Sequence, residues 1–300
     1  MRFSVSSLLT LVAAATAVVA QPGKRALPLN PPLSSVHAVN WAELPPAPTE
    51  ALTNAKRFAR GLPPLNPRRR NHNRGVQHGA LHARQATHVA SAPRAETSPV
   101  APTSTTCMIL VKNAATGQEL GFVSKEWNSY AEYGPLESTQ EKALEVSFSA
   151  SPDTPTHQID LLAVNGKSPA HPFVGAAVGF GSDDESIGAG SANYLLLVGT
   201  TQTPAGSTPN SEANNSFSQA TGADASSESA IWSYDPISRA LTIDWINVDG
   251  SSTDAHILLS AQEEGGDLFS LTGDANTFRS AYGVEAPEVN FTCVPRTVAV

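Results

Sequence analysis

From Cys107 onward the apolar residues fall in short runs, four to eight long, separated by Gly, Asn, Asp, Ser and Pro. Within several runs the period is two. Leu144, Val146 and Phe148 alternate with Glu145, Ile159 and Leu161 flank Asp160, and Leu241, Ile243 and Trp245 alternate around Asp244. Side chains of a strand point to opposite faces in turn, so this pattern predicts half-buried strands with their carboxylates outward. The candidate strands are 107–112, 120–123, 144–149, 158–164, 173–180, 194–198, 230–234, 241–247, 257–261, 268–271 and 289–294. Asn165-Gly166, Asp249-Gly250 and Gly265-Gly266 are hairpin signals between them. Helical texture is confined to 275–282. Short strands at roughly ten-residue spacing point to an all-β fold, an antiparallel β-sandwich or jelly roll over residues 107–300.

Residues 21–106 break the pattern. Pro, Ala, Arg, His, Asn and Ser dominate, and neither a period of two nor one of 3.6 persists. This stretch reads as a basic Pro/Arg-rich pro-region or linker, largely disordered, with one short helix over 47–60 and a Ser/Thr/Pro/Ala spacer at 85–106. Basic pairs recur at Lys24-Arg25, Lys56-Arg57 and Arg68-Arg69-Arg70. They make Arg25, Arg57 and Arg70 candidate processing sites, with an uncut basic linker as the alternative. His78 and His82 lie four apart with His72 and His88 nearby, but Gly75 and Gly79 oppose the helix that would aim them at one metal.

The first twenty residues are a different object. Arg2 precedes an apolar stretch from Leu8 to Val19, and Val18 and Ala20 set small residues before a cut after Ala20. That is the form of a secretory signal peptide, too short for a spanning helix of roughly 20 apolar residues. The expected product is secreted and extracellular. Charge then divides the chain: residues 1–106 hold twelve Lys or Arg against three acids, and residues 107–300 seven against twenty-four. So acidic a domain repels phosphate backbones and anionic membranes, which disfavours both as partners.

Cys107 and Cys293 lie in the first and last candidate strands, and in an exported chain such a pair is read as a disulfide. It would require those two strands to be neighbours. It also removes a thiol nucleophile. The domain has no Gly-x-Ser-x-Gly elbow, and its histidines, His157, His171 and His256, sit at turns or strand ends where exposure is expected. Asp183-Asp184-Glu185 and Asn247-x-Asp249-x-Ser251 supply oxygens but no complete calcium loop, and the glycines at 179, 181, 188 and 190 lack a phosphate-loop spacing. No metal or cofactor is expected. A polysaccharide hydrolase would need a carboxylate pair, for which Asp160 or Asp244 is a candidate.

Trp127, Tyr130 and Tyr133 cluster in a polar stretch, Trp-Asn-Ser-Tyr-Ala-Glu-Tyr, that lacks the texture of core. Exposed aromatics stack on sugar rings, so these three are the candidate carbohydrate-binding residues; Trp232 and Trp245 alternate with apolar partners and are expected inside. The polar span 200–228 is long enough to be functional or disordered. It contains the sequon Asn214-Asn-Ser216, and Asn290-Phe-Thr292 forms a second on the last strand.

Gly199-Thr-Thr-Gln-Thr-Pro-Ala-Gly206, Ser227-Glu-Ser-Ala-Ile-Trp-Ser-Tyr-Asp-Pro236 and Trp245-Ile-Asn-Val-Asp-Gly-Ser251 resemble motifs of uncharacterised secreted proteins common in mushroom-forming (basidiomycete) fungi. The resemblance covers residues 107 to about 294. It implies a fungal extracellular protein and brings no activity or catalytic residue with it. The expected function is a cell-wall-associated or carbohydrate-binding, structural module with extracellular polysaccharide as partner. A hydrolase built on a carboxylate pair is the alternative, and an interaction protein on a host or substrate surface a third reading.

Overall fold

The structure is a computed structural model that describes residues 27–47, 102–262 and 264–297. The signal peptide, Ala20, Arg25, Arg57, Arg70, the helix expected over 47–60 and the histidines at 72, 78, 82 and 88 lie outside or mostly outside the described residues.

The described chain is all-β, as its alternation predicts. The strands are β1 (Thr103–Asn113), β2 (Glu119–Val123), β3 (Leu136–Glu137), β4 (Glu145–Ala150), β5 (Thr156–Ile159), β6 (Leu161–Ala163), β7 (Phe173–Val178) and β8 (Tyr194–Thr200). After helix α1 (Ser216–Thr221) come β9 (Ser227–Glu228), β10 (Trp232–Tyr234), β11 (Ala240–Ile246), β12 (Ser252–Asp254), β13 (His256–Ser260) and β14 (Leu268–Thr272). Helix α2 (Ala275–Tyr282) and β15 (Val289–Val294) end the fold. Every pairing is antiparallel, in the order β13-β14-β8-β7-β6-β4-β1-β15-β11-β10-β5. β12 pairs with β11 and continues through Ala255 into β13, whose partner β14 lies toward the other end of that order. The Ala255 amide donates to Ile243 O at 2.9 Å. A single stretch of chain thus joins distant parts of one sheet, which curls upon itself; two separately bonded sheets are not seen among the described residues.

β1 and β15 are neighbours, in register from Met108 opposite Val294 to Asn113 opposite Val289. Cys107 and Cys293 form the expected disulfide, with Cα atoms 5.5 Å apart. Inside the curl lie Ile109, Val146, Leu161, Val174, Leu195, Leu197, Trp232, Ile243, Trp245 and Phe291. Trp232 and Trp245 are buried as expected, and both indole N–H groups are satisfied, by Val174 O at 2.6 Å and Glu185 O at 2.9 Å. β8 is buried along its whole length because both its faces are covered. Leu195 and Leu197 face the inner core, whereas Tyr194, Leu196 and Val198 join Phe217 of α1, Phe278 and Tyr282 of α2, and Leu29 in a second apolar layer.

Two expectations change here. Residues 27–47, read as leader, lie against the domain: Leu29 is buried, the His37 amide donates to Ala220 O at 2.7 Å and the Ala47 amide to Pro169 O at 2.9 Å. The polar span 200–228 is ordered around α1, where Asn215 caps the first turn by accepting from the Ser218 amide at 2.8 Å. It then continues into a stretch buried from Ser226 to Tyr234. That stretch pairs with β7 at its start and with β11 and β5 at its end. Its serines survive burial because their hydroxyls donate, Ser226 to Glu185 Oε1 at 2.6 Å and Ser227 to Ala213 O at 3.1 Å.

Candidate functional site

The aromatic cluster expected on the surface is interior. Trp127, Tyr130 and Tyr133 are 6%, 4% and 0% exposed, so none of them offers a free ring face. The chain leaves β2 and reverses over 127–133 by a side-chain-mediated turn: Asn128 Oδ1 accepts from the amides of Tyr130 at 2.9 Å and Glu132 at 3.1 Å. Ala131 between them takes a left-handed φ of 61°. Gly265, at φ 85°, lies against the Tyr130 ring so closely that a Cβ there would fall 2.2 Å from a ring carbon. Trp127 is covered by residues remote in sequence; Trp41 stands edge-on to it with ring centroids 5.0 Å apart. Period-based reading could not find this, because the cover comes from a Pro-rich segment.

Glu132 is the fully buried carboxyl of the same turn. Its Oε2 accepts from Asn128 Nδ2 at 2.6 Å and from Asn30 Nδ2 at 3.2 Å, while Oε1 has no partner. Burial pushes this carboxyl up to about 7, only partly offset by the two amides. Burial raises the Tyr133 hydroxyl to about 12, with the nearby Trp127 indole opposing the rise; neither Tyr133 OH nor Trp127 Nε1 completes a hydrogen bond. His171, expected at an exposed turn, is buried beside Trp41, and desolvation lowers it to about 4.

The two carboxylates singled out for hydrolysis belong to separate hydrogen-bond sets. Asp160 Oδ1 accepts from Ser229 Oγ at 2.5 Å and Oδ2 from Gln202 Nε2 at 2.7 Å; burial raises this carboxyl. Asp244 belongs to a row across four adjacent strands on the outer face, which the period of two correctly makes polar. His157 Nδ1 of β5 lies 2.8 Å from Ser233 Oγ of β10, Ser233 Oγ donates to Asp244 Oδ2 of β11, and Asp244 opposes Asp254 of β12. A hydrogen bond to Asp244 and its charge raise the Asp254 carboxyl. Serine and carboxylate approach the same histidine nitrogen, at 2.8 and 3.8 Å, whereas a nucleophilic triad places them on opposite nitrogens. The row is a polar ladder rather than a nucleophilic triad. Among the described residues no group of three or more His, Cys, Asp and Glu side chains is placed to hold a metal ion, and no helix is long and apolar enough to cross a membrane.

A groove of about 740 Å3 lies between the end of β7 and α1. Phe180, 44% exposed, stands in it with Asp183, Asp184, Glu185, Asn214 and Asp224, and the buried Phe217 contributes to its lining. Asp183-Asp184-Glu185 reads in the sequence as a turn, and Phe180 as the end of a strand, which stops instead at Val178. Both sequon asparagines, Asn214 and Asn290, are exposed. Compared with protein-family models, curated proteins and solved structures, the chain has no match.

Proposed function

We propose that this chain is a secreted, glycosylated fungal extracellular protein whose domain is a cell-wall-associated module that binds polysaccharide in the groove around Phe180. The observation that carries the reading is the half-exposed Phe180 ring among the carboxylates of Asp183, Asp184, Glu185 and Asp224 in a cavity of about 740 Å3. A sugar ring rests its C–H face on an aromatic and donates its hydroxyls to fixed acceptors, and this groove offers both. The Cys107–Cys293 disulfide favours an oxidising compartment, and exposed Asn214 and Asn290 suit glycosylation. The acidic balance of residues 107–300 disfavours nucleic acid and anionic membrane.

The test is a pull-down of the full chain on insoluble chitin, β-glucan and cellulose, with the supernatant assayed for released sugar, for the wild type and for Phe180→Ala. Depletion that disappears in Phe180→Ala, without sugar release, is the expected result. Depletion indifferent to Phe180 removes the groove from the reading. Sugar release would replace it with the hydrolase, and Asp160 and Asp244 become the next substitutions. Without depletion or release the carbohydrate reading falls, and protein partners on a host or substrate surface take its place.

A further inference from the structure

Residues 27–47 are held at separate points along the domain rather than by strand pairing. Tyr194 OH donates to Leu29 O, Asn30 Nδ2 to Glu132 Oε2 at 3.2 Å, and Trp41 packs on Trp127 and His171. Its two 3-10 turns, Leu33–Ser35 and Trp41–Glu43, contain no buried residue. What lies beneath is built differently from ordinary core. Glu132 Oε1 is buried without a hydrogen-bond partner, as is the strap's own Asn30 Oδ1, and Trp127 Nε1 and Tyr133 OH, neighbours of each other, complete no hydrogen bond. Buried polar groups are normally satisfied, so several orphans within seven residues, with Trp41 of the strap on Trp127 and Asn30 on Glu132, call for an explanation. A donor, an acceptor and a phenol set among aromatic rings are the groups with which proteins hold a polyhydroxylated ligand.

The sequence supplies a means of uncovering them. Lys24-Arg25 and Lys56-Arg57 bracket residues 27–47, and residues 107–300 contain no adjacent pair of Lys or Arg. Cleavage at paired basic residues would therefore excise the covering segment and leave the domain whole. We propose that residues 27–47 are a separable strap that withholds a second binding cleft, formed by Trp127, Glu132 and Tyr133, until the flanking basic pairs are cut. The cleft takes short carbohydrate chains, a ligand class that rests on the reading above; the covering role does not.

The test uses the full chain carrying Phe180→Ala, so that the open groove is silent, treated or untreated with an endoprotease specific for paired basic residues. Gel filtration follows the released peptide, circular dichroism the domain, and calorimetry the binding of β-1,3-glucan and chitin oligosaccharides. Expected are loss of the peptide, unchanged β-sheet signal, and at least tenfold tighter binding after cleavage. Trp41→Ala in the uncut chain should show part of the same gain, and removing the pairs at both 56–57 and 68–70, by Lys56→Ala, Arg57→Ala and Arg69→Ala together, should block it. A peptide that stays bound after cleavage, a domain that unfolds on losing it, or equal binding before and after would each overturn the proposal. Failure of Phe180→Ala to affect the pull-down would count against the open groove alone.

Discussion

Asn30 donates to Glu132 across 102 residues of chain, so the fully buried carboxyl of the 127–133 turn is tied to a segment whose composition reads as leader. The contact joins an element of Pro-rich texture to the interior of the β-fold. It also sets an electrostatic condition on the folded state, because an amide donor alone is weak compensation for a buried carboxylate.

Stability should fall as pH rises from about 4.5 to 9. Glu132 is raised to about 7 and Glu228, 2% exposed, to about 9, both by burial. The fold therefore prefers their protonated forms. Their contributions are fully present below the ordinary value of 4.5 and are lost as pH climbs to 7 and to 9 respectively. His171, lowered from 6.5 to about 4, acts oppositely: its contribution is present above 6.5 and is lost as pH falls toward 4. Between 4.5 and 6.5 two losses oppose one gain, a net decline of about 1.4 kcal/mol per pH unit for these groups. Urea midpoints measured from pH 4.5 to 9 should decline throughout, and Glu228→Gln should flatten the fall between 7 and 9. A maximum near pH 8 would contradict this account.

Breaking the disulfide should destabilise without rerouting the chain. The bond spans 186 residues, for which the loop-entropy relation gives about 5 kcal/mol. β1 keeps its register with β15 and β4 through backbone hydrogen bonds that do not involve the sulfurs. Cys107→Ser with Cys293→Ser is expected to lower the urea midpoint sharply while leaving the far-UV spectrum of the folded protein unchanged. A midpoint within error of the wild type would show that the unfolded chain is not the state the bond restrains.

How far the residues announce this fold depends on whether their cause is local. β15 forms over Val289–Val294 and α2 over Ala275–Tyr282, the spans expected from pattern alone, because alternation and the Asp274 cap act within a few residues. The expected strand 158–164 divides at Asp160, where Gln158 takes a left-handed φ of 55° and the partner changes from β10 to β4. The hairpin signals at 249–250 and 265–266 do lie between paired strands, but in connections longer than two residues. Helix α1 carries its signals, Asn215 before it and Gly222 after it, in a six-residue segment too short and Ser-rich to stand out by periodicity. The interior position of Trp127, Tyr130 and Tyr133 has no local cause. It follows from Trp41, 86 residues earlier, and from Gly265, more than 130 residues later, so the three rings read as surface until those contacts are known.

Two glycines of the same chemistry should behave oppositely. A Cβ on Gly134 would fall 1.9 Å from the backbone oxygen of Asp267, where the 127–133 turn runs beside β14. Neither backbone can yield without disturbing the Phe269 amide bond to Tyr133 O at 3.2 Å. Gly188 has no atom within 4 Å of the same position. Gly134→Ala should cost on the order of 3 kcal/mol by thermal unfolding, and Gly188→Ala less than about 0.5. Equal effects would mean that the close approach at Gly134 relaxes freely.

The outer ladder predicts a gain. Asp244 and Asp254 face each other across β11 and β12, and the hydrogen bond between them requires a proton that one carboxyl must hold. Asp254 is raised by that bond and by the Asp244 charge, so the pair favours folding below the ordinary carboxyl range and loses that benefit as pH rises through it. At pH 7 two carboxylates remain side by side, with His157 the adjacent group able to offset them. Asp254→Asn keeps a donor for Asp244 and removes the repulsion. Because the site is solvent-facing, the expected stabilisation at pH 7 is a few tenths of a kcal/mol, shrinking toward zero at pH 3. Ser233→Ala should have the opposite sign, since it strips Asp244 of its hydroxyl donor and breaks the link to His157. Unfolding curves at the two pH values would decide it: an Asp254→Asn gain as large at pH 3 as at pH 7 would place the effect in the amide's packing rather than in the charge.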